Sequence, residues 1–164
     1  MKMLVISHGG YGKDTFCEII RDEFGTKFVS SSYFMSEKLI FDKLKDLYGY
    51  RSVQECYEDR RNHRSEWFNI IRDYSKNDQA RLAREILESH DVYCGMRCAT
   101  QFEASKHLFD LVIWIDAEKR IGSVESSSSM TITKDCADII IENNGTLDEF
   151  REKVIKVMRL FYNV

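Results

Sequence analysis

Proline is absent from this chain, and tryptophan occurs only twice. The missing proline carries no functional reading. Long apolar runs are missing as well. Nothing approaches the roughly 20 consecutive apolar residues of a membrane-spanning helix, so a bilayer is not an expected partner. The first residues lack the layout of a secretory signal, and the expected location is the cytoplasm. Charge of one sign is not in excess: 24 Lys and Arg stand against 27 Asp and Glu, for a net charge of −3. At the level of the whole chain nothing asks for nucleic acid as a partner, although a local basic groove stays compatible with that balance. Cysteine is sparse and scattered, at Cys17, Cys56, Cys94, Cys98 and Cys136. Cys94 and Cys98 form the one close pair, and no second pair completes a zinc site, so all five read as reduced thiols, mostly in the core. There are no repeats and no low-complexity tract beyond the serines from Ser126 to Ser129. A length of 164 residues, 43% of them apolar and 31% charged, fits a single globular domain over 1–164.

What the chain does have is concentrated near its start. His8-Gly9-Gly10-Tyr11-Gly12-Lys13-Asp14-Thr15 follows an apolar run, Met3-Leu4-Val5-Ile6, and precedes a helical pattern of Phe16, Ile19, Ile20 and Phe24. That is strand, glycine loop, helix. The Walker A pattern asks for Gly, four residues, then Gly-Lys-Ser/Thr. Gly12-Lys13 fits; Ser7 stands where the first glycine belongs, and Asp14 separates the lysine from Thr15. The physics survives these departures. Glycines that reach positive φ let successive backbone N–H groups turn inward around a phosphate. The helix N-terminus behind them adds partial positive charge, and Lys13 adds a full one.

Further along, the first helix should run from about Lys13 to Phe24 and stop at Gly25. Thr26–Ser30 reads as a second strand, and Ser31 and Ser32 as caps for a helix ending near Gly49. From Val53 to His90 the pattern is helical throughout. Val92–Cys94 is a third strand, leading through Gly95-Met96-Arg97 to a short helix around 102–107. Leu111–Ile115, closing on Asp116, is the most apolar strand, as buried parallel strands are. Residues 118–134 read as a polar, mobile loop, Ile139–Ile141 as a fifth strand, and Leu147–Phe161 as a closing helix capped by Thr146. Alternating strands and helices predict an α/β fold of three layers around a mainly parallel five-stranded sheet, with ligands at the carboxyl ends of the strands.

The glycine loop, Gly95–Arg97, Asp116 and the Asn143–Gly145 turn all fall at such ends, so four polar or glycine-bearing segments should converge on one edge. Arg60 and Arg64, with Arg61, His63, Tyr57 and Trp67 nearby, suit a nucleotide, because guanidinium forks grip phosphate and a ring stacks on a base. A solvated helix face is the plainer reading of such a run. Arg97, directly after a strand and a glycine, faces the expected ligand edge. Lys119 and Arg120 open the serine-rich loop, which could close as a lid over about 117–134. For magnesium, Asp14 takes the position after the lysine that a hydroxyl normally holds, with Thr15 next to it; Asp116 is a weaker candidate.

These residues resemble those of a known family. Gly-Tyr-Gly-Lys-Asp-Thr at 10–15 is similar to the loop of phage-type deoxynucleoside monophosphate kinases, which also carry Asp after the lysine. Tyr93-Cys94-Gly95-Met96-Arg97 followed by Glu103 resembles their strand-Gly-x-Arg segment, whose arginine faces the acceptor nucleotide. Ala137–Leu147 is similar to the last strand and turn of these enzymes and of dephospho-coenzyme A kinases, where the Asn-x-Gly turn lies beside the donor adenine. The segment 32–90, the helical acceptor-binding insert, matches only loosely. The resemblance implies a P-loop NTPase fold using ATP and Mg²⁺. His8, Gly9, Gly10, Tyr11, Gly12, Lys13, Asp14 and Thr15 would hold the triphosphate and its metal, with Asn143 and Gly145 at the adenine. Arg60, Arg64, Trp67 and Arg97 would hold the acceptor, and Arg120 would cap the transferring phosphoryl group from the lid, in a host cytoplasm if the gene is a phage's. It extends to kinases that phosphorylate 5-hydroxymethyluracil in DNA; hydroxymethylated DNA would then be the partner, and Asp14 the first candidate for a catalytic base. A nucleotide-binding switch that transfers nothing is the rival from another class. Whether the chain forms a homodimer is left open by the sequence.

Overall fold

The computed structural model describes residues 1–122 and 124–163. Five strands, β1 (Met3–Ile6), β2 (Phe28–Ser30), β3 (Val92–Cys94), β4 (Leu111–Asp116) and β5 (Ile139–Glu142), form one sheet in the order β2-β3-β1-β4-β5. Every pairing is parallel, with Val5 opposite Cys94 on one side and Ile113 on the other. The period-2 alternation of side chains splits each strand between the two faces. Met3 and Val5 join the core beneath α1 (Lys13–Phe24), while Leu4 and Ile6 join the core on the opposite face.

The closing helix α9 (Leu147–Tyr162) packs beside α1 through Phe150, Val154 and Met158. Its start is sharply specified. Thr146 Oγ1 accepts the Glu149 N–H, and the Glu149 carboxylate accepts the Thr146 N–H at 2.7 Å, a reciprocal capping box. The other face is covered by α2 (Ser31–Met35), α3 (Phe41–Tyr48), α4 (Val53–Glu58), α5 (Arg64–Ser75), α6 (Arg81–Ser89) and α7 (Ala99–Ser105).

Four local features differ from the sequence reading. The second strand starts at Phe28, with Thr26 buried before it. The helix after it is capped one residue early, by Ser30, whose hydroxyl accepts the Tyr33 N–H at 3.1 Å. Between α2 and α3 the chain makes a π turn over Ser36–Ile40, in which Phe41 N–H reaches the Ser36 carbonyl. The extra residue keeps Met35, Ile40 and Leu44 all on the core side. The segment expected as a polar loop starts as a helical turn, α8 (Glu118–Ile121), and later sinks Met130 and Ile132 into the core at 4% and 1% exposure. Among the described residues no helix is long and apolar enough to cross a membrane.

Candidate functional site

The consecutive connections after β1, β3 and β4 all leave the sheet at its carboxyl edge, where parallel sheets open a crevice. The loop after β1 closes on Gly12 at φ 103°, the residue before α1. Only glycine suits this point on two counts. The backbone is left-handed, and a Cβ would stand 2.5 Å from Asn143 Nδ2. That amide is part of a latch. Asn143 Nδ2 donates to the Tyr11 carbonyl at 2.9 Å, with both residues buried, so the turn after β5 fastens the glycine loop.

Lys13, first in α1, lies across Gly95, where a Cβ would come within 3.0 Å of its Cε. Its ammonium is 2.8 Å from Asp14 Oδ2, while Asp14 Oδ1 faces the Cys94 thiol at 3.5 Å. Burial works against the Lys13 charge, but the neighbouring Asp14 carboxylate outweighs it, and the net pKa is raised. Lys13 is therefore a held, permanent cation at neutral pH.

The loop, the end of β3 and the turn between α4 and α5 together enclose a cleft of about 760 Å³. Gly9, Gly10, Lys13 and Asp14 line it from the loop; Arg60, Arg61, Arg64 and Trp67 line it from the helices; Arg97 lines it from behind β3. Residues separated by more than eighty positions in the chain thus share one pocket. The arginine-bearing corner is braced by Asp59, which accepts from Tyr50 Oη at 2.6 Å, Asn62 Nδ2 at 2.6 Å and His63 Nε2 at 3.0 Å. Arg60 Nη1 donates to the Tyr57 carbonyl, and its guanidinium lies 3.9 Å from the Tyr57 ring centroid. Trp67 is 5% exposed, and its indole Nε1 is buried without a hydrogen-bond partner.

Other expected site residues lie elsewhere. The Tyr11 ring is buried, edge-on to His8, and cannot stack on a ligand. His8 packs edge-on against Trp114 too, and its Nδ1 accepts the Glu125 N–H at 3.3 Å, so it shapes the loop. Thr15 does not line the cleft. Arg120 does not line it either: its Nε donates to the Asn143 carbonyl at 3.0 Å and its N–H to Asn144 Oδ1 at 3.3 Å. Arg120 therefore braces the turn after β5 instead of capping the cleft, because the helical turn of α8 points it at the neighbouring strand's end. Asn143 and Gly145 border a separate groove of about 550 Å³ with Phe150, Lys153 and Lys156.

One cleft residue escaped the sequence altogether. Glu125 accepts the Gly9 N–H at 2.8 Å through Oε1 and is ion-paired with Arg97 through Oε2. Burial disfavours its charge, but the hydrogen bond and charge of Arg97 and the Gly9 amide prevail, leaving its pKa below the usual carboxylate value. A lone acid in a serine-rich stretch offers no motif by which to find it.

Among the described residues, no cluster of three His, Cys, Asp or Glu side chains is placed to hold a metal. Magnesium, however, is commonly held by one or two carboxylates together with substrate phosphates and water. Asp14, a mostly exposed carboxylate on the cleft wall, fits that mode of binding.

No family model matches the sequence, and no curated protein matches it. Solved structures do. The chain is similar to shikimate kinase from Bacteroides thetaiotaomicron, at 10% identity over 99% of this chain and 98% of that one, with a TM-score of 0.55. It is similar to shikimate kinase from Acinetobacter baumannii in complex with shikimate, at 11% identity, 99% and 93% coverage and a TM-score of 0.54. A gluconokinase from Sinorhizobium meliloti shares 14% identity over 99% and 94% of the two chains, with a TM-score of 0.50. At these identities the likeness is one of fold: the chain shares the α/β architecture of these kinases, a five-stranded parallel sheet flanked by helices.

Proposed function

We propose that this chain transfers the γ-phosphoryl group of ATP, with Mg²⁺, to a deoxynucleoside monophosphate. The observation that carries the reading is the cleft itself, in which Lys13 and the Gly9-Gly10 amides share about 760 Å³ with Arg60, Arg61, Arg64 and Arg97. A triphosphate and a phosphate-bearing acceptor together present many anionic oxygens, and four arginines and one lysine lining a single cleft match that demand. The P-loop kinase fold is consistent with phosphoryl transfer in general; the acceptor is inferred from the arginine corner and the resemblance of the loop.

Lys13 and the loop amides would hold the β- and γ-phosphates, and Asp14 would hold Mg²⁺ directly or through water. The metal, when bound, neutralises charge on the phosphates being separated. Arg60 and Arg64 would grip the acceptor phosphate, with Trp67 as the wall for its base. The protein needs no general base, because a phosphate oxygen is already ionised at neutral pH. The Asn143–Gly145 groove is the natural seat for adenine.

Incubation with γ-labelled ATP and a panel of free deoxynucleotides, shikimate, gluconate and hydroxymethylated DNA tests the reading. Label on a deoxynucleoside monophosphate supports it. Label on DNA or on a polyol alone keeps the chemistry and overturns the acceptor; no transfer to any of them, with ATP bound, favours a nucleotide-binding switch.

A further inference from the structure

The anion-binding cleft of the free protein already contains an anion of its own. Glu125 places one carboxylate oxygen on the Gly9 amide and the other on Arg97, thereby joining the phosphate loop to the segment behind β3. A donor amide on one side and a guanidinium on the other is the arrangement a tetrahedral phosphoryl group would seek between donor and acceptor. A carboxylate is the closest imitation of it that a protein can supply. We propose that Glu125 is an internal stand-in for the transferred phosphoryl group, holding its position closed until a nucleoside triphosphate displaces it. This rests on the nucleotide reading above and goes beyond it, since it assigns Arg97 and the Gly9 N–H to one subsite.

Three further observations support a built contact. Residue 9 is a glycine, and a Cβ there would stand 2.8 Å from Glu125 Oε1, so the loop admits the carboxylate closely. The Glu125 N–H is tied to His8 Nδ1, which orients the side chain toward the loop. Glu125 itself stands outside the core. It lies between the end of α8 at Ile121 and the buried Met130, and Val124 and the serines Ser126 to Ser129 are exposed. Beyond it, the Thr131 and Ile132 amides are fixed to the Arg97 carbonyl at 3.0 and 3.4 Å. Arg97 would thus keep its backbone neighbours while its guanidinium exchanges one anion for another.

The stand-in makes triphosphate binding a competition. An anion that reaches only the Gly9–Arg97 subsite must displace Glu125 unaided, whereas a triphosphate also gains Lys13 and the remaining loop amides. Titration calorimetry with inorganic tripolyphosphate and with a non-hydrolysable ATP analogue tests this on the wild type, Glu125→Ala and Glu125→Gln, with Glu118→Gln as a charge control outside the cleft. Both Glu125 variants should bind tripolyphosphate and the analogue about tenfold tighter than wild type, a factor equivalent to about 1.4 kcal/mol. Glu118→Gln, which removes the same charge, should change affinity less than about threefold, as expected of an exposed charge outside the cleft. Binding by an unpaired variant but not by wild type supports the stand-in equally well. Wild-type binding with unchanged or weaker affinity in both Glu125 variants overturns it and leaves the nucleotide reading standing. No binding by any of the proteins overturns the nucleotide reading, and the stand-in with it.

Discussion

The latch from Asn143 to the Tyr11 carbonyl, beside Gly12, makes a prediction whose size follows from two distances. Asn143→Ala removes the 2.9 Å hydrogen bond to the Tyr11 carbonyl and leaves that carbonyl buried, which should cost about 1–3 kcal/mol. Gly12→Ala carries two penalties. Forcing an alanine to φ 103° costs about 1–2 kcal/mol. The new Cβ, 2.5 Å from Asn143 Nδ2, also drives the amide off Tyr11, adding about 1–3 kcal/mol. In the double variant the amide is already gone, so only the backbone strain is added to the lost bond. The pair should therefore destabilise by about 2–5 kcal/mol, no more than Gly12→Ala alone, where simple addition gives about 3–8. Urea denaturation of the four proteins measures the cycle, and each kcal/mol should also lower the melting midpoint by about 2–4 °C. Additivity within about 0.5 kcal/mol would refute the claim that the two residues meet at this point.

Other consequences are open to direct measurement. Arg60→Ala and Arg64→Ala should each raise the acceptor KM by about tenfold or more, as loss of a charged hydrogen bond does, and leave ATP affinity within about twofold; an equal fall in ATP affinity would move these arginines to the donor side. Glu125 has a folded pKa below its unfolded value of 4.5, so its contribution to stability is present above pH 4.5 and is lost as pH falls through the folded pKa. The stability gap between wild type and Glu125→Gln should accordingly close in acid, and a gap that widened there would reverse the assignment. Ile132→Ala, at 1% exposure, should cost about 2–5 kcal/mol, whereas a freely mobile loop would tolerate it; chemical denaturation separates the two.

Much of this architecture was legible in the residues. Leu111–Ile115 is an unbroken apolar run, and Lys13–Phe24 carries a 3.6-residue period between glycines, so both elements fall where expected. The convergence of Gly9, Lys13 and Arg97 follows from one rule, that parallel strands present their carboxyl ends to a common edge. Arg60 and Arg64 could be named as candidates but not located, because their approach depends on how the helices between β2 and β3 fold back. The π turn at Ser36–Ile40 was hidden because a single extra residue resets the helical period. Met130 and Ile132 were missed because isolated apolar residues among serines, threonines and lysines produce no period. Arg120 reads as a cap on the ligand, yet its Nε donates to a backbone carbonyl, and the sequence alone cannot show which acceptor a side-chain donor will find.

The central claim is that the glycine loop and Lys13 form a seat for a triphosphate. Calorimetry of Mg-ATP binding to the wild type and to Lys13→Ala tests it most directly, with circular dichroism to establish that both are folded. A single site in the wild type, weakened by about a hundredfold or more in the variant as a charged contact to phosphate is removed, is the expected result. Equal affinity in the two folded proteins, or no heat from the wild type with any nucleoside triphosphate, would contradict it.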